Sequence, residues 1–235
     1  MFGMYIDPRY LMFMAPAFIL MLLVQWYVKS AYSRWSRVSS RARISGAQAA
    51  QRLIQTGGLY GVRIEGVQGH LTDHYDPREK ILRLSQGVFQ GNSVAALAIA
   101  AHELGHAVQD HEGYFPLRFK AALVPAVNIG SYLGWILIIL GMILNIVGIA
   151  WLGVLVFSGG VLFALATLPV ELNASARARQ LLFNSGLVYG DEEKRGVNNV
   201  LNAAALTYVA ALVAAVLQLL YWVTLVLGMG GRSRD

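Results

Sequence analysis

The chain has 235 residues, 56% of them hydrophobic and only 14% charged, with a formal net charge of +6. This composition excludes an ordinary soluble domain. The absence of cysteine excludes disulfides and thiolate metal sites, so histidine and carboxylate must supply any ligands. The basic excess has no nucleic-acid-binding motif with it and adjoins an apolar span, where basic residues attract anionic lipid; no nucleic acid is expected as a partner.

The apolar residues fall in long runs. Tyr10–Val28, Ala121–Val170 and Gly196–Gly231 contain no Asp, Glu, Lys or Arg. A bilayer is crossed by about 20 apolar residues, so the runs predict one, then two, then one spanning helix. Sixteen of the nineteen Lys and Arg lie between Lys29 and Arg195, outside the spans. The positive-inside rule then predicts an outside N-terminus and cytoplasmic segments at 29–120 and 171–196. The first span has no charged n-region and no A-x-A cleavage site. Lys29, Arg34, Arg37, Arg41 and Arg43 follow it at once, which reads as a membrane anchor with a basic stop.

Taken in order, residues 1–28 are an N-terminal segment and first span (about 10–28), with Trp26 and Tyr27 as an interfacial belt. Residues 29–43 are basic and aromatic and are expected to continue the helix along the headgroups. They open a cytoplasmic α+β region, 29–120. Within it Ser45 and Gln48 form a capping box, and Gly57-Gly58 stops a short helix with Ala49, Ala50, Leu53 and Ile54 on one side. Val62–Val67 alternates like a half-buried strand; Leu71–Tyr75 and Ile81–Ser85 flank the turn composition Asp76–Lys80 and predict a hairpin. An alanine-rich helix follows over Ser93–Glu112, capped by Asn92 or Ser93 and ended by Gly113. Residues 121–170 predict a transmembrane hairpin (121–143 and 149–170) that turns near Asn145, with Pro116 and Pro125 flanking its start. Gly130, Gly134, Gly141 and Gly148 would serve close packing in it. Residues 171–196 predict a separate cytoplasmic helix, Glu171–Phe183, broken at Asn184–Gly186. Residues 197–235 belong to a last long helix, Glu192–Leu227 with Asp191 as its cap, which includes the fourth span and ends in a tail.

Chemistry concentrates at His102-Glu103-Leu104-Gly105-His106, the H-E-x-x-H pattern. Four helical residues turn by about 400° and rise about 6 Å, so His102 and His106 point the same way and can ligate one zinc ion, with Glu103 beside them to handle a water. A catalytic zinc needs a third protein ligand. His111 faces away on the same helix, and Asp110 and Glu112 are too near along it to fold back. Asp191, Glu192 and Glu193 read as a first helical turn. His70 and His74 stay open. Glu171 is favoured: it is the first charge after fifty uncharged residues, it stands at a membrane boundary where an unpartnered ion is costly, and it lies on the same side as the motif. The competing reading pairs it with Arg177 or Arg179.

The HELGH motif, the stretch LTDHYDP…ILRLS and the later PVELNASARA together resemble the YugP-like family of neutral zinc membrane peptidases, over about residues 5–228. More distantly the chain is similar to the HtpX-type membrane metallopeptidases. The resemblance implies a gluzincin-like site with His102, His106 and Glu171 as ligands, Glu103 as base and one zinc per chain. It also implies a substrate-binding edge at the hairpin, with His74 where HtpX-type enzymes carry Asn, and a prokaryotic cytoplasmic membrane. One position departs: relatives carry an Asp four residues after the third ligand, where it orients a zinc histidine, and this chain has Ser175, whose hydroxyl orients more weakly.

The expected protein is thus a mainly α integral membrane metallopeptidase with four transmembrane helices and a small cytoplasmic α+β region. It would hydrolyse protein or peptide substrates at the cytoplasmic face. His74, Tyr75, Arg177 and Tyr189 are candidates for binding substrate or the oxyanion. The alternative is a zinc-stabilised membrane scaffold without activity; Glu103 argues against it, because metal can be held without that residue. An intramembrane protease fits poorly, since Gln90, Asn92, Gln109, Asp110 and Glu112 bracket the motif helix with only about fifteen mostly small residues between.

Overall fold

A computed structural model describes residues 7–232. The order of elements is α1 (Pro8–Trp35), α2 (Gly46–Thr56), β1 (Arg63–Val67), β2 (His74–Asp76), β3 (Ile81–Ser85), α3 (Gln86–Phe89), α4 (Val94–His111), α5 (Phe115–Ile143), α6 (Val147–Asn184) and α7 (Gly190–Arg232). The fold is mainly helical with one small sheet. Four helices, α1, α5, α6 and α7, are long and apolar enough to cross a membrane. The chain divides into two compact units: Met1–Leu23, Arg118–Leu168 and Thr207–Asp235 in one, Val24–Leu117 and Pro169–Leu206 in the other.

The first unit is built from apolar helix segments that leave many large side chains exposed, among them Phe18, Leu22, Ile129 and Leu155. That is unfavourable in water and natural in hydrocarbon. Its buried cluster joins Ile138, Ala150 and Val154 to Tyr221, Trp222 and Val226. Glycine lets α5 and α6 meet backbone to backbone. A Cβ on Gly141 would lie 2.4 Å from the Ala150 nitrogen, and one on Gly134 would lie 2.7 Å from the Phe157 nitrogen. Gly148 faces open space and takes no part in this close packing. Asn145 makes the turn between the two helices with φ 56°, a left-handed conformation that asparagine tolerates. α5 starts at Phe115, so Pro116 is its second residue and Pro125 lies inside it.

The second unit is organised around α4, which is buried along most of its length: Val94–Ala98, Ala100, Ala101, Leu104 and Ala107 all belong to its core. Packed on α4 are α2, with Ala49, Ala50, Leu53 and Ile54 buried, and the sheet. The Ser45–Gln48 capping box forms as the sequence predicts. In the sheet β3 is central, with the order β1-β3-β2. β2 and β3 form the antiparallel hairpin, while β1 runs parallel to β3. The hairpin turn is held by Asp76, which accepts from the Arg78 and Glu79 amides and from Arg83; Arg83 also pairs with Glu79. Those donors hold the Asp76 carboxyl below its ordinary range, the Arg78 amide first among them.

Two segments differ from the sequence reading. The helix of α1 stops at Trp35, and residues 38–40 run extended against the start of α4: Val94 N–H donates to Val38 O at 2.9 Å and Ser40 N–H to Asn92 O at 2.8 Å. The four N-terminal amides of a helix need acceptors, and this strand-like segment supplies one where a headgroup-lying helix could not. Second, the third span and the helix carrying Glu171 are one continuous helix through Pro169. Pro169 removes one N–H and so frees the Leu165 carbonyl, but a helix with its side chains packed tolerates one missing bond.

Leu82, fully buried in the central strand, is the test of the sheet-to-helix core. Leu82→Ala is expected to destabilise the unit by about 2–5 kcal/mol, read as a lowered thermal midpoint in detergent. Leu71→Ala, at an exposed position, is expected to leave the midpoint unchanged.

Candidate metal centre

Helix α4 begins at Ser93, whose hydroxyl accepts from the Ala96 amide at 3.1 Å. Three and four residues apart, His102, Gly105, His106 and Gln109 share one face of it. That face meets α6 at unusually short range. A Cβ on Gly105 would stand 2.4 Å from the Ala174 carbonyl oxygen, so only glycine permits the approach. Ala174 and Ala178 are fully buried there. Glu171 and Ser175, three residues before and one after Ala174, are thereby carried up to the two histidines.

Glu171 Oε2 lies 3.4 Å from His102 Nε2 and 3.3 Å from His106 Nε2, and the carboxylate is only 3% exposed. The ligand atoms of His102, His106 and Glu171 all fall within 4.8 Å of one another, the one such group of three among the described residues. A tetrahedral zinc with ligands at about 2.0–2.1 Å has edges of about 3.3–3.4 Å between ligand atoms. The two edges to Glu171 have that length, and the donor set of two imidazoles and one carboxylate suits zinc. The residues present therefore fit a zinc ion.

Both imidazoles are held from behind. Gln109, fully buried, donates through Nε2 to the Val170 carbonyl at 2.8 Å and to Asn173 Oδ1 at 2.9 Å. A carbonyl only accepts, which fixes the amide and leaves Gln109 Oε1 to accept from His106 Nδ1 at 3.0 Å. His106 thus carries its proton on Nδ1 and presents the lone pair of Nε2 towards Glu171. Ser175 Oγ lies 3.2 Å from His102 Nδ1 and is buried. Burial works against a protonated His106, but Glu171 and Glu103 outweigh it and hold its pKa above the ordinary histidine value. Burial likewise pushes the Glu103 carboxyl above its usual range; His102 and His106 pull the other way, while Glu171 and Asp73 add to the push.

The other candidates lie outside the His102–His106–Glu171 group. His74 is exposed, with Nδ1 2.9 Å from Thr72 O. Tyr75 donates to Asp110 Oδ2 at 3.0 Å, tying β2 to α4; burial first and that acceptor second raise its pKa. Arg177 donates to Asn173 Oδ1 at 2.7 Å and to Glu112 Oε2 at 2.6 Å. Arg179 bonds Asn198 and Asn202. Tyr189 has an exposed ring, and its amide donates to Glu193. The His70 ring stands against Tyr32 at 5.1 Å, outside the ligand group.

Sequence reasoning missed Gln109, Asn173 and Asp73. Asp73 accepts from the Ser85 amide and hydroxyl and adds negative charge near Glu103. For Gln109 a signal existed: it lies three residues after a metal-type histidine, on the same face.

A mainly helical, membrane-type chain carrying H-E-x-x-H on a buried helix with a carboxylate from a second helix defines the membrane zinc-peptidase class. Residues 10–227 match the model of the family described as "Putative neutral zinc metallopeptidase", and the chain belongs to that family. It is also 43% identical over 211 residues to the protein named "Putative membrane protease YugP" of Bacillus subtilis (strain 168), covering 90% of this chain and 92% of that protein. No solved structure matches at a significant level.

Gln109→Leu is expected to weaken zinc affinity by about 10–100-fold, measured by competition with a chromogenic chelator. Gly105→Ala forces α4 and α6 apart at the site and is expected to lower both zinc affinity and the thermal midpoint; Ala107→Gly, on another face, should leave zinc affinity as it is.

Proposed function

We propose that the chain is a zinc endopeptidase of a prokaryotic cytoplasmic membrane, with its N-terminus outside and its site on the cytoplasmic side. The observation that carries the catalytic reading is the triangle of His102 Nε2, His106 Nε2 and Glu171 Oε2, with edges of 3.4 and 3.3 Å to the carboxylate. In this reading His102, His106 and Glu171 hold one zinc ion. Such an ion, when bound, acidifies a water molecule and polarises a peptide carbonyl.

The chain's own groups do the rest. Gln109 keeps the His106 imidazole in the tautomer that turns the Nε2 lone pair to the ligand side, and Ser175 stands within hydrogen-bond reach of His102 Nδ1. Glu103, next to His102, takes a proton from the attacking water and returns it to the leaving amine. Burial raises its pKa above the usual carboxyl range, which favours the proton-returning step. The hairpin of β2 and β3, tied to α4 by Tyr75 and Asp110, supports binding of an extended peptide beside the site. The distribution of basic residues supports the cytoplasmic side: Arg34 to Arg118 flank the site in sequence and the spans carry none.

Elemental analysis of detergent-purified protein tests the reading. Wild type and Glu103→Gln are expected to hold about one zinc per chain and Glu171→Ala markedly less. Hydrolysis of an unstructured protein such as casein is expected to fall by about 10²–10⁴-fold in Glu103→Gln. Full zinc occupancy in Glu171→Ala would move the third ligand elsewhere. Equal cleavage by Glu103→Gln would remove Glu103 from the mechanism.

A further inference from the structure

A second polar site lies in the unit that contains α4, on other faces of its helices. The end of α1 and the start of α7 enclose a cleft of about 440 Å³ lined by Arg34, Trp35, Glu192, Arg195, Asn198, Asn199 and Asn202. Its floor is built rather than incidental. Trp35 is only 5% exposed and rests on Gly196, where a Cβ would come 2.6 Å from the ring. The Trp35 indole N–H donates to Asn199 Oδ1 at 3.1 Å, and Asn199 Nδ2 donates to the Tyr27 hydroxyl at 2.7 Å. Arg34 lies over the Trp35 ring at 5.0 Å. Arg179, outside the lining, gives Nε–H to Asn198 Oδ1 at 2.8 Å and Nη2–H to Asn202 Oδ1 at 2.6 Å.

The chemistry of this cleft is one-sided. Because Arg179 occupies the oxygens of Asn198 and Asn202, their NH₂ groups are left as donors for the cavity they line. Arg34 and Arg195 add guanidinium donors. None of the three arginines pairs with a carboxylate among the described residues, and Glu192 is the single acid in the lining. A pocket of donors with excess positive charge fits the oxygens of a phosphate. Its height is set by the sequence of its two helices. Arg195 is the last charge before the uncharged run 196–231, and on α1 Lys29 and then Arg34 follow the uncharged run 10–28 and its aromatic pair Trp26 and Tyr27. That is the level of lipid headgroups.

We propose that this cleft binds the phosphate of an anionic glycerophospholipid, with Arg34 and Arg195 as the main contacts and the amides of Asn198 and Asn202 as supporting donors. Full-length protein in neutral detergent is titrated with phosphatidylglycerol, with phosphatidylcholine, and with inorganic phosphate, and followed by native mass spectrometry and thermal midpoint. Retention of phosphatidylglycerol with a raised midpoint is expected for wild type. Arg34→Gln/Arg195→Gln is expected to weaken retention by about 5-fold per arginine, and both side chains are exposed, so folding is not at risk. Arg52→Gln/Arg63→Gln, an equal change of charge outside the cleft, is expected to behave as wild type. Equal weakening in that control would reduce the effect to the general field of the protein and overturn the site. Equal stabilisation by phosphatidylcholine, or by inorganic phosphate alone, would overturn the anionic lipid as its ligand.

Discussion

The contact of Gly105 with the Ala174 backbone is the constraint on which the site depends. A helix pair normally stands 8–10 Å apart, held off by side chains. Here one member presents glycine in the middle of its metal-type motif, and the other presents Ala174 and Ala178. The approach brings Glu171 within 3.4 Å of both imidazoles and Ser175 within 3.2 Å of His102. Gln109 then spans the same gap, from His106 to the Val170 carbonyl just before Glu171. One amide thus orients the His106 imidazole on α4 and pins the turn of α6 that carries Glu171. The alanine content of α4 serves the same end: without bulky side chains the helix can be buried on nearly all sides, which is an expensive position for two histidines and a glutamate unless each is hydrogen-bonded or metal-bound.

Much of this was legible in the sequence, for local reasons. Caps at Ser45 and Ser93, the turn at Asn145 and the hairpin around Asp76–Lys80 are set by neighbours a few residues away. The four apolar helices follow from charge-free runs. What stayed hidden depends on distant partners. The parallel pairing of β1 with β3 cannot be read from alternation, since each strand has the same pattern whichever way its neighbour runs. The extended course of residues 38–40 depends on α4 needing acceptors at its start. The unbroken α6 was obscured by Pro169 and by the change from apolar to charged composition at Glu171, which marks a change of surroundings, not an end of the helix.

The site was legible to different depths. His102, Glu103 and His106 announce themselves by spacing, and Glu171 by its isolation after fifty uncharged residues. Gln109 did not, because a glutamine near the end of a helix looks like a solvent-facing residue. Only the fold reveals that it is fully buried with every polar atom used. Arg177 drew attention as a cation near the ligand helix, yet its guanidinium is spent on Asn173 and Glu112.

The groups behind the two imidazoles are both neutral, an amide oxygen at His106 and a hydroxyl at His102. A carboxylate in either place would make the imidazole more basic and bind the ion more firmly. If His102, His106 and Glu171 held a divalent ion, Glu171 would be its sole anionic donor and one positive charge would stay uncancelled by the direct donors. That surplus would sharpen the pull on the electrons of a carbonyl and at the same time loosen the grip on the ion itself. In the proposed site a single hydroxyl at His102 would thus set electrophilic strength against metal retention.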